Sequence, residues 1–406
     1  MDAQSRYRPD WPTRDAQRRR RSDGRVARPP RHRAPHRRPH RGRYPVSATE
    51  RTAFFELDAV TLESWCGARG MPKFAAKQLL DWVYGKGVVD IDRMTNLSKT
   101  QRDMLAHEMT FLQGNELHSL QATDGTRKLL LGWPKPGAGI SLPVLGVATG
   151  RETECVMIPT EERRTACVSS QMGCPVGCKF CASGLEGVEG NLTAGHIVEQ
   201  VWRLAQQPGT GRISNVVFMG MGEPLANASA VMSAIRTINA PWGMGISARK
   251  ITISTVGLPA AIRKLCDFEL PVTLALSLHA PNDELRRQII PWAEYSTVAE
   301  LLSACQEWFG KTGREITLEY ILLGGFNDQR EHAQELVRIA RSIRANVNLI
   351  RYNEVDGLPF ARPDDHDVLT FQNVLRDAGV NTHIRASRGR DIKAACGQLR
   401  HEAMKS

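Results

Sequence analysis

The chain has 406 residues, a length that suggests two or three domains at about 100–200 residues each. Its apolar content, about 48% when Gly is counted and Tyr is not, is that of a globular protein and excludes a chain that is disordered or collagen-like throughout. No stretch approaches the ~20 uncharged apolar residues of a membrane helix, and no secretory signal is recognised. We therefore expect a soluble, cytoplasmic protein without a membrane partner.

Residues 1–48 are predicted to be a disordered basic tail. Fifteen Arg, no Lys and four Asp within residues 1–46 account for the whole net charge of +11, and seven Pro interrupt this segment. Such a composition buries too little apolar surface to offset the entropy lost on ordering. An Arg-rich arm suits phosphate backbones, which it binds without sequence preference and with strong salt dependence. The alternative, which the sequence leaves open, is a dispensable extension.

Residues 50–113 are predicted to form a small helical domain, and residues 114–164 a β extension. In the first segment a further helix begins at Asn96–Lys99, and the residues with helical spacing are Phe74, Gln78, Leu79, Trp82 and Val83. In the second segment a hairpin turn and two strands are predicted at Thr123–Thr126, Lys128–Leu131 and Glu154–Ile158.

Residues 165–400 alternate between apolar runs of strand length and helical patterns such as Ala194–Gln206. The predicted strands are Ala166–Ser170, Asn215–Met219, Ile251–Thr255, Val272–Ser277, Ile316–Leu322 and Asn346–Ile350. Alternation of buried strands with helices predicts an α/β fold with a parallel sheet and outer helices. Six such units fit a complete or partial (β/α) barrel, in which ligands bind at the carboxyl ends of the strands.

The chain has nine cysteines, an odd number that does not describe a disulfide scaffold. Four of them lie in helical or strand patterns and are interpreted as small buried core residues: Cys66, Cys155, Cys266 and Cys305. Cys396 lies among charged residues and Gly397, which favours a mobile loop over a buried position.

Three cysteines, Cys174, Cys178 and Cys181, stand within eight residues in a loop that follows a predicted strand. Four cysteines close a zinc site or an iron–sulfur cluster, whereas three leave one metal position open. An open iron of a 4Fe–4S cluster can bind and reduce a small molecule. The alternative is a zinc knuckle with a distant fourth ligand, but the spacing and the aromatic residue before Cys181 favour the cluster.

This cysteine motif resembles the signature of radical S-adenosylmethionine (SAM) enzymes. Four further segments resemble the RlmN/Cfr family of RNA adenine methyltransferases in order and spacing: Cys167–Cys174, Gly220–Pro224, Ser277–Asp283 and Arg388–Leu399. The resemblance implies a partial (β/α)6 radical SAM barrel and a 4Fe–4S cluster held by the three cysteines. It also implies that SAM acts both as methyl donor and as the source of a 5′-deoxyadenosyl radical.

An adenine ring carbon such as C2 is not a nucleophile, so direct attack on the SAM methyl group is unavailable. The resemblance implies that Cys396 is first methylated and that its S-methyl carbon, as a radical, then adds to the ring. Cys167 would resolve the protein–RNA adduct through a transient Cys167–Cys396 disulfide, and Glu154 would be the proton acceptor. On sequence alone, a Glu in an edge strand is more often part of a solvated face.

The remaining motifs are expected to bind SAM. Glycines after the strand at Asn215–Met219 permit close approach of the backbone to a ligand, and a carboxylate suits the SAM ammonium. Hydroxyl, imidazole and amide groups at successive strand ends suit the ribose and carboxylate of SAM. The candidate residues are Gly222, Glu223, Ser254, Ser277, Leu278, His279 and Asn353.

The function implied by the resemblance is formation of 2-methyladenine in 23S rRNA and in tRNA next to the anticodon. Chemistry on a ring carbon of adenine in structured RNA requires the base to leave its stack. The helical domain is expected to bind the RNA through its shape and its phosphates. The implied partners also include an external reductant such as flavodoxin or ferredoxin, and the chain is expected to be a monomer. The alternatives are methylation at C8 of adenine and a zinc-stabilised RNA-binding protein without catalysis.

Overall fold

The computed structural model describes residues 51–134 and 151–399, so the predicted tail at 1–48 lies outside the described residues. The strands of the described part are β1 Thr52–Ala53, β2 Met109–Thr110, β3 Asn115–Gln121, β4 Arg127–Gly132, β5 Glu152–Pro159, β6 Arg164–Cys167, β7 Gln171–Gly173, β8 Val188–Asn191, β9 Asn215–Phe218, β10 Ile251–Thr255, β11 Thr273–Ser277, β12 Ile316–Leu322, β13 Asn346–Arg351 and β14 Thr382–Arg385.

The helices of the described part are α1 Ala59–Gly67, α2 Phe74–Leu80, α3 Lys99–Glu108, α4 Ala194–Gln206, α5 Ala228–Asn239, α6 Pro259–Leu265, α7 Asp283–Ile289, α8 Val298–Thr312, α9 Arg330–Ser342 and α10 Asp365–Asp377. Within the same residues, every helix is too short or too polar to cross a lipid bilayer.

One sheet of ten strands organises the chain, in the order β14-β13-β12-β11-β10-β9-β6-β5-β4-β3. Within this sheet β6 and the strands from β9 to β14 are parallel to one another, whereas β5, β4 and β3 continue the sheet with antiparallel pairing. The predicted α/β fold is confirmed: the parallel strands with their intervening helices form a partial (β/α)6 barrel. The last parallel strand, β14, was not predicted, because its four residues lack a continuous apolar run.

Burial on both faces explains the apolar runs of the central parallel strands, such as β12. In β12, five of seven side chains are fully or nearly fully buried hydrophobic groups, and Glu319 is the buried exception. The helices cover the sheet with one apolar face each. In α4 the buried residues include Ile197, Val198 and Val201, and Thr193 caps the helix by accepting from the backbone N–H of His196.

The segment before the sheet is helical, as predicted, and α3 begins where Ser98 and Gln101 form a capping box. The predicted apolar face of α2 is partly wrong. Leu79 and Val83 are buried, as their spacing predicts, but Phe74 is 61% exposed, and α2 also buries Ala75, Ala76 and Leu80. One hydrophobic cluster extends from this segment into the barrel. The domain boundaries and the RNA-binding role of residues 50–113 therefore stay predictions.

The β3–β4 hairpin forms around the predicted turn, in which Gly125 adopts a φ of +82° that favours glycine. Strand β5 lies between β4 and β6, so it is not an edge strand. Glu154 is consequently 4% exposed, against the solvated position that its sequence context indicated. Of the predicted core cysteines, Cys266 is only half-buried, because it lies at the C-terminal end of α6. The other three are buried: Cys66, Cys155 and Cys305.

Candidate active site

A pocket opens at the carboxyl ends of the parallel strands, where ligands of (β/α) barrels bind. Nine of the predicted site residues line it: Cys174, Cys178, Cys181, Gly222, Glu223, Ser254, Ser277, His279 and Cys396. The barrel thus brings together residues that are far apart in the sequence.

The three-cysteine loop follows β7 and is held by backbone hydrogen bonds. The N–H of Cys174 donates to the carbonyl of Gly187 at 2.8 Å, and the N–H of Lys179 donates to the carbonyl of Ile289 at 2.9 Å. Burial raises the pKa of the Cys174 thiol to about 12. Burial also raises the pKa of the other two thiols, so metal binding is what would ionise them.

The surroundings of this loop fit a bound iron–sulfur cluster. Arg286 is 1% exposed, and its Nη1 has no hydrogen-bond partner. The guanidinium interacts electrostatically with Cys178, so it supplies a buried positive charge and a spare donor beside the thiolates. Within residues 51–134 and 151–399, no three His, Cys, Asp or Glu side chains converge on a single-ion position. A four-iron cluster instead takes one thiolate at each of three separate irons.

The glycines after β9 let their backbone lie close to another segment of the protein, the residues that follow β6. A Cβ on Gly222, where φ is +101°, would lie 2.7 Å from Cβ of Gln171. A Cβ on Gly220 would lie 2.7 Å from the carbonyl oxygen of Val168. These glycines therefore let the segment after β6 pack under the pocket floor.

Glu223 links the ends of two strands through its buried carboxylate. Its Oε1 accepts from the N–H of Leu225 at 2.9 Å, and its Oε2 accepts from the N–H of Val256 at 2.8 Å. Burial raises the pKa of Glu223 despite these hydrogen bonds. The side chain of Thr255 is a third hydrogen-bond partner of this carboxylate, which leaves it able to accept from one donor of a ligand in the pocket.

His279 is fixed as a neutral side chain. It adopts a left-handed backbone conformation with φ of 60°, and its Nδ1 accepts from the N–H of Ile321 at 3.1 Å. Burial, together with the charge of Arg286, lowers the pKa of His279 to about 3. Because Nδ1 is an acceptor, the proton of the neutral ring lies on Nε2, which can donate to a ligand.

The other candidate SAM residues differ in their access to the pocket. The hydroxyls of Ser254 and Ser277 lie 3.1 Å apart and both line it. The Leu278 side chain is completely buried and is absent from the lining, so only its backbone could serve a ligand. The side chain of Asn353 is also outside the lining, and its Nδ2 donates to the carbonyl of Cys396 at 3.2 Å.

Cys396 lines the pocket, whereas Cys167 and Glu154 lie outside its lining. Cys396 lies on the C-terminal loop and is open to the cavity. The surrounding protein still raises the pKa of its thiol, although the positive charge of Arg385 partly offsets this rise. Cys167 ends β6 in a buried cluster that includes Val156 and Met221. Burial, followed by the neighbouring Cys396, raises the pKa of Cys167 to about 12.

Sequence reasoning missed two charged residues of the pocket. Nη1 of Arg385 lies 3.3 Å from Oε2 of Glu319, and Nδ2 of Asn348 donates to Oε1 of Glu319 at 2.9 Å. Arg385 interacts electrostatically with both Cys167 and Cys396. The sequence signal for Glu319 is that it is the one acidic residue in the largely apolar strand β12. Arg385 has no such signal, because it ends β14, the strand that the sequence does not predict.

Comparison with known families agrees with this geometry. A model of the Radical SAM superfamily matches residues 168–337, which hold the three cysteines and most of the barrel. A model of the ribosomal RNA large subunit methyltransferase N-terminal domain matches residues 52–110. The fold and the site therefore define a radical SAM methyltransferase.

The more similar relatives narrow the assignment. A crystal structure of a radical SAM methyltransferase from Sphaerobacter thermophilus matches with a TM-score of 0.80 and 40% identity, covering 86% of this chain and 100% of that one. A "Probable dual-specificity RNA methyltransferase RlmN" of Rhodopirellula baltica is 43% identical over 340 residues, which are 84% of this chain and 88% of the relative. A "Dual-specificity RNA methyltransferase RlmN" of Syntrophobacter fumaroxidans is 43% identical over 339 residues, which are 83% of this chain and 95% of the relative. The chain belongs to the RlmN family of radical SAM RNA methyltransferases.

Proposed function

We propose that this chain forms 2-methyladenine in 23S rRNA and in tRNA next to the anticodon. It would act in the cytoplasm as a monomer that receives electrons from flavodoxin or ferredoxin. Family membership supports the RNA substrate, and one observation supports the chemistry. The loop of the three cysteines and the loop of Cys396 line the same pocket, and the N–H of Ala182 donates to the carbonyl of Gly397 at 2.8 Å.

The pocket residues are assigned to two bound groups. Cys174, Cys178 and Cys181 would hold the 4Fe–4S cluster, with Arg286 compensating part of its negative charge. When bound, the cluster supplies the electron that splits SAM. Glu223 would accept from the SAM ammonium and His279 would donate through Nε2, while other contacts would come from Gly222, Ser254, Ser277 and the backbone of Leu278. Asn353, which lies outside the lining, would act through the loop of Cys396.

Cys396 would carry the transferred carbon. Its sulfur is open to the pocket, so it can accept a methyl group there. The methyl group would give a hydrogen atom to the 5′-deoxyadenosyl radical derived from a second SAM. Once its carbon has joined C2 of adenine, protein and RNA would be linked through sulfur and that carbon. Asn353 holds the backbone carbonyl of Cys396 during these steps.

Cys167 and Glu154 would release the product. The ring radical would lose one electron, for which the bound cluster would be the acceptor, and its C2 proton would pass to the Glu154 carboxylate. The Cys167 thiolate attacks the sulfur of Cys396, so that a disulfide forms and the bond from sulfur to the linking carbon breaks. The electron pair of that bond goes to the carbon, which takes a proton and becomes the methyl group. An external two-electron reductant then restores both thiols.

The test is nucleoside analysis of RNA treated with the full chain. The protein is purified and reconstituted without oxygen, then incubated with SAM, a reductant and either a 23S rRNA fragment or tRNA. We expect 2-methyladenosine in both RNAs by mass spectrometry. An 8-methyladenosine product would overturn the C2 assignment, and a colourless zinc protein that leaves SAM intact would overturn the enzyme assignment.

A further inference from the structure

Lys128 forms a buried ion pair with Glu154. Its Nζ lies 2.7 Å from Oε1 of Glu154, and the two side chains are only 10% and 5% exposed. In the β4–β5 register Lys128 stands opposite Val156, two residues from Glu154, so both charged side chains lie on the same face of the sheet. Buried charges are unfavourable unless they are paired, so each of these two groups depends on the other.

The same ammonium also contacts the loop that carries Cys396. Nζ of Lys128 donates to the backbone carbonyl of Lys393 at 3.2 Å. Lys393 adopts a left-handed conformation with φ of 50°, three residues before Cys396. Lys128 is thus the side chain that joins the strand of Glu154 to the loop of Cys396.

Contacts from the hairpin turn hold the same loop. Oδ2 of Asp124 accepts from the N–H of Gly389 at 3.0 Å, and Oδ2 of Asp391 accepts from the N–H of Thr123 at 2.9 Å. The loop is therefore docked on the β3–β4 hairpin even without Lys128. This separates the two contributions of Lys128, because removing its charge leaves the docking contacts of the turn in place.

We propose that Lys128 is a positioning residue for the release step, holding the Glu154 carboxylate ionised and fixed in place beside the Cys396 loop. The inference rests on the proposed role of Glu154 as proton acceptor. A nearby positive charge favours the ionised form of a carboxylate, whereas burial favours the neutral acid, which cannot accept a proton. Lys128 therefore keeps a buried base ready for the C2 proton.

The experiment follows the release step in a single turnover. The full-length protein, methylated on Cys396, reacts with RNA that carries hydrogen or deuterium at C2 of the target adenine. Denaturing gels measure formation and decay of the protein–RNA adduct. The variants are Lys128→Met, Lys128→Arg and Glu154→Gln. The matched control is Lys311→Met, because Lys311 lies on the outer helix α8 and forms an exposed ion pair with Asp267.

We expect Lys128→Met to form the adduct at the normal rate and to resolve it at least about tenfold more slowly, since a positioned base contributes roughly 10²–10⁴-fold. The deuterium isotope effect on decay is expected to rise, because removal of the C2 proton becomes limiting. Lys128→Arg is expected to restore both, and Lys311→Met to behave as the unmodified protein.

Two results would overturn the inference. One is normal decay with an unchanged isotope effect in Lys128→Met, and the other is a loss of adduct formation that Lys128→Arg does not restore, which would indicate a folding role. The double variant Lys128→Met/Glu154→Gln, which buries no unpaired charge, shows whether that loss is structural. Normal decay in Glu154→Gln would instead refute the proposed role of Glu154 itself.

Discussion

The N–H of Ala182 donates to the carbonyl of Gly397, so the residue after the last cysteine of the three-cysteine loop is hydrogen-bonded to the residue after Cys396. Nearby, the hydroxyl of Ser183 donates to the carbonyl of Leu399 at 2.6 Å. Two segments more than 200 residues apart in the chain are thereby held at one end of the barrel. This arrangement places the proposed methyl carrier beside the proposed cluster.

Ala182→Pro tests that hydrogen bond. Ala182 is the first residue of a short 3-10 helix, a position that tolerates proline, and Cys181 before it is extended, with φ of −122° and ψ of 125°, as the residue before a proline prefers. We expect the variant to retain its iron and to methylate Cys396 up to about tenfold more slowly, since one hydrogen bond is worth about 0.5–1.5 kcal/mol. Mass spectrometry of the protein measures the methylation. Ala182→Ser, which keeps the N–H, should react normally, and an equal loss in both variants would contradict the prediction.

Cys178→Ala tests the cluster assignment. Removing one of three ligands should leave less than the four irons per chain that a 4Fe–4S cluster brings, and it should abolish SAM cleavage. Iron analysis and release of 5′-deoxyadenosine provide the measurements. Cys266→Ala is the control, because this half-buried thiol lies outside the pocket lining. Full iron content and turnover in Cys178→Ala would refute the assignment.

Cys167→Ala tests the resolving step. The variant retains Cys396, so we expect the covalent protein–RNA adduct to form and to persist on a denaturing gel. Release of methylated RNA at the normal rate would be the contrary result. Cys155→Ala serves as the control, since this buried thiol lies on the opposite face of the sheet from Cys167, which pairs with Val156.

The pH dependence of release follows from the thiol of Cys167. Burial raises the pKa of Cys167 to about 12, so at neutral pH the thiol is the dominant form and the reactive thiolate a small fraction. Below that pKa the thiolate fraction rises tenfold for each pH unit. Adduct decay in the unmodified protein should therefore accelerate between about pH 7 and pH 9. A flat profile, measured in a single turnover, would place the limiting step elsewhere.

Deletion of residues 1–46 tests the basic tail. These residues carry the whole net charge of the chain, so their removal should weaken RNA binding mainly at low salt. Methylation at saturating RNA should be unchanged. Filter binding across a range of salt concentrations measures the effect. Equal affinity of the two proteins at every salt concentration would favour a dispensable extension.

The sequence by itself determined the alternation of apolar strands and helices from residue 165 onward, because burial on both faces of a parallel sheet requires continuous apolar runs. It also determined the three-cysteine loop, whose cysteines are close along the chain. Patterns of this kind can be recognised from the sequence because they depend on residues that lie within a few positions of each other.

Only the tertiary structure decided which distant residues meet. Glu154 resembled a solvated residue until β5 was found between β4 and β6, and only there does Lys128 reach it. Arg385 lies at the end of a short polar strand, yet pairing of β14 with β13 carries it to Glu319 and the two cysteines. Such contacts depend on strand order and register, which arise from packing of the whole sheet and leave little trace in the local sequence.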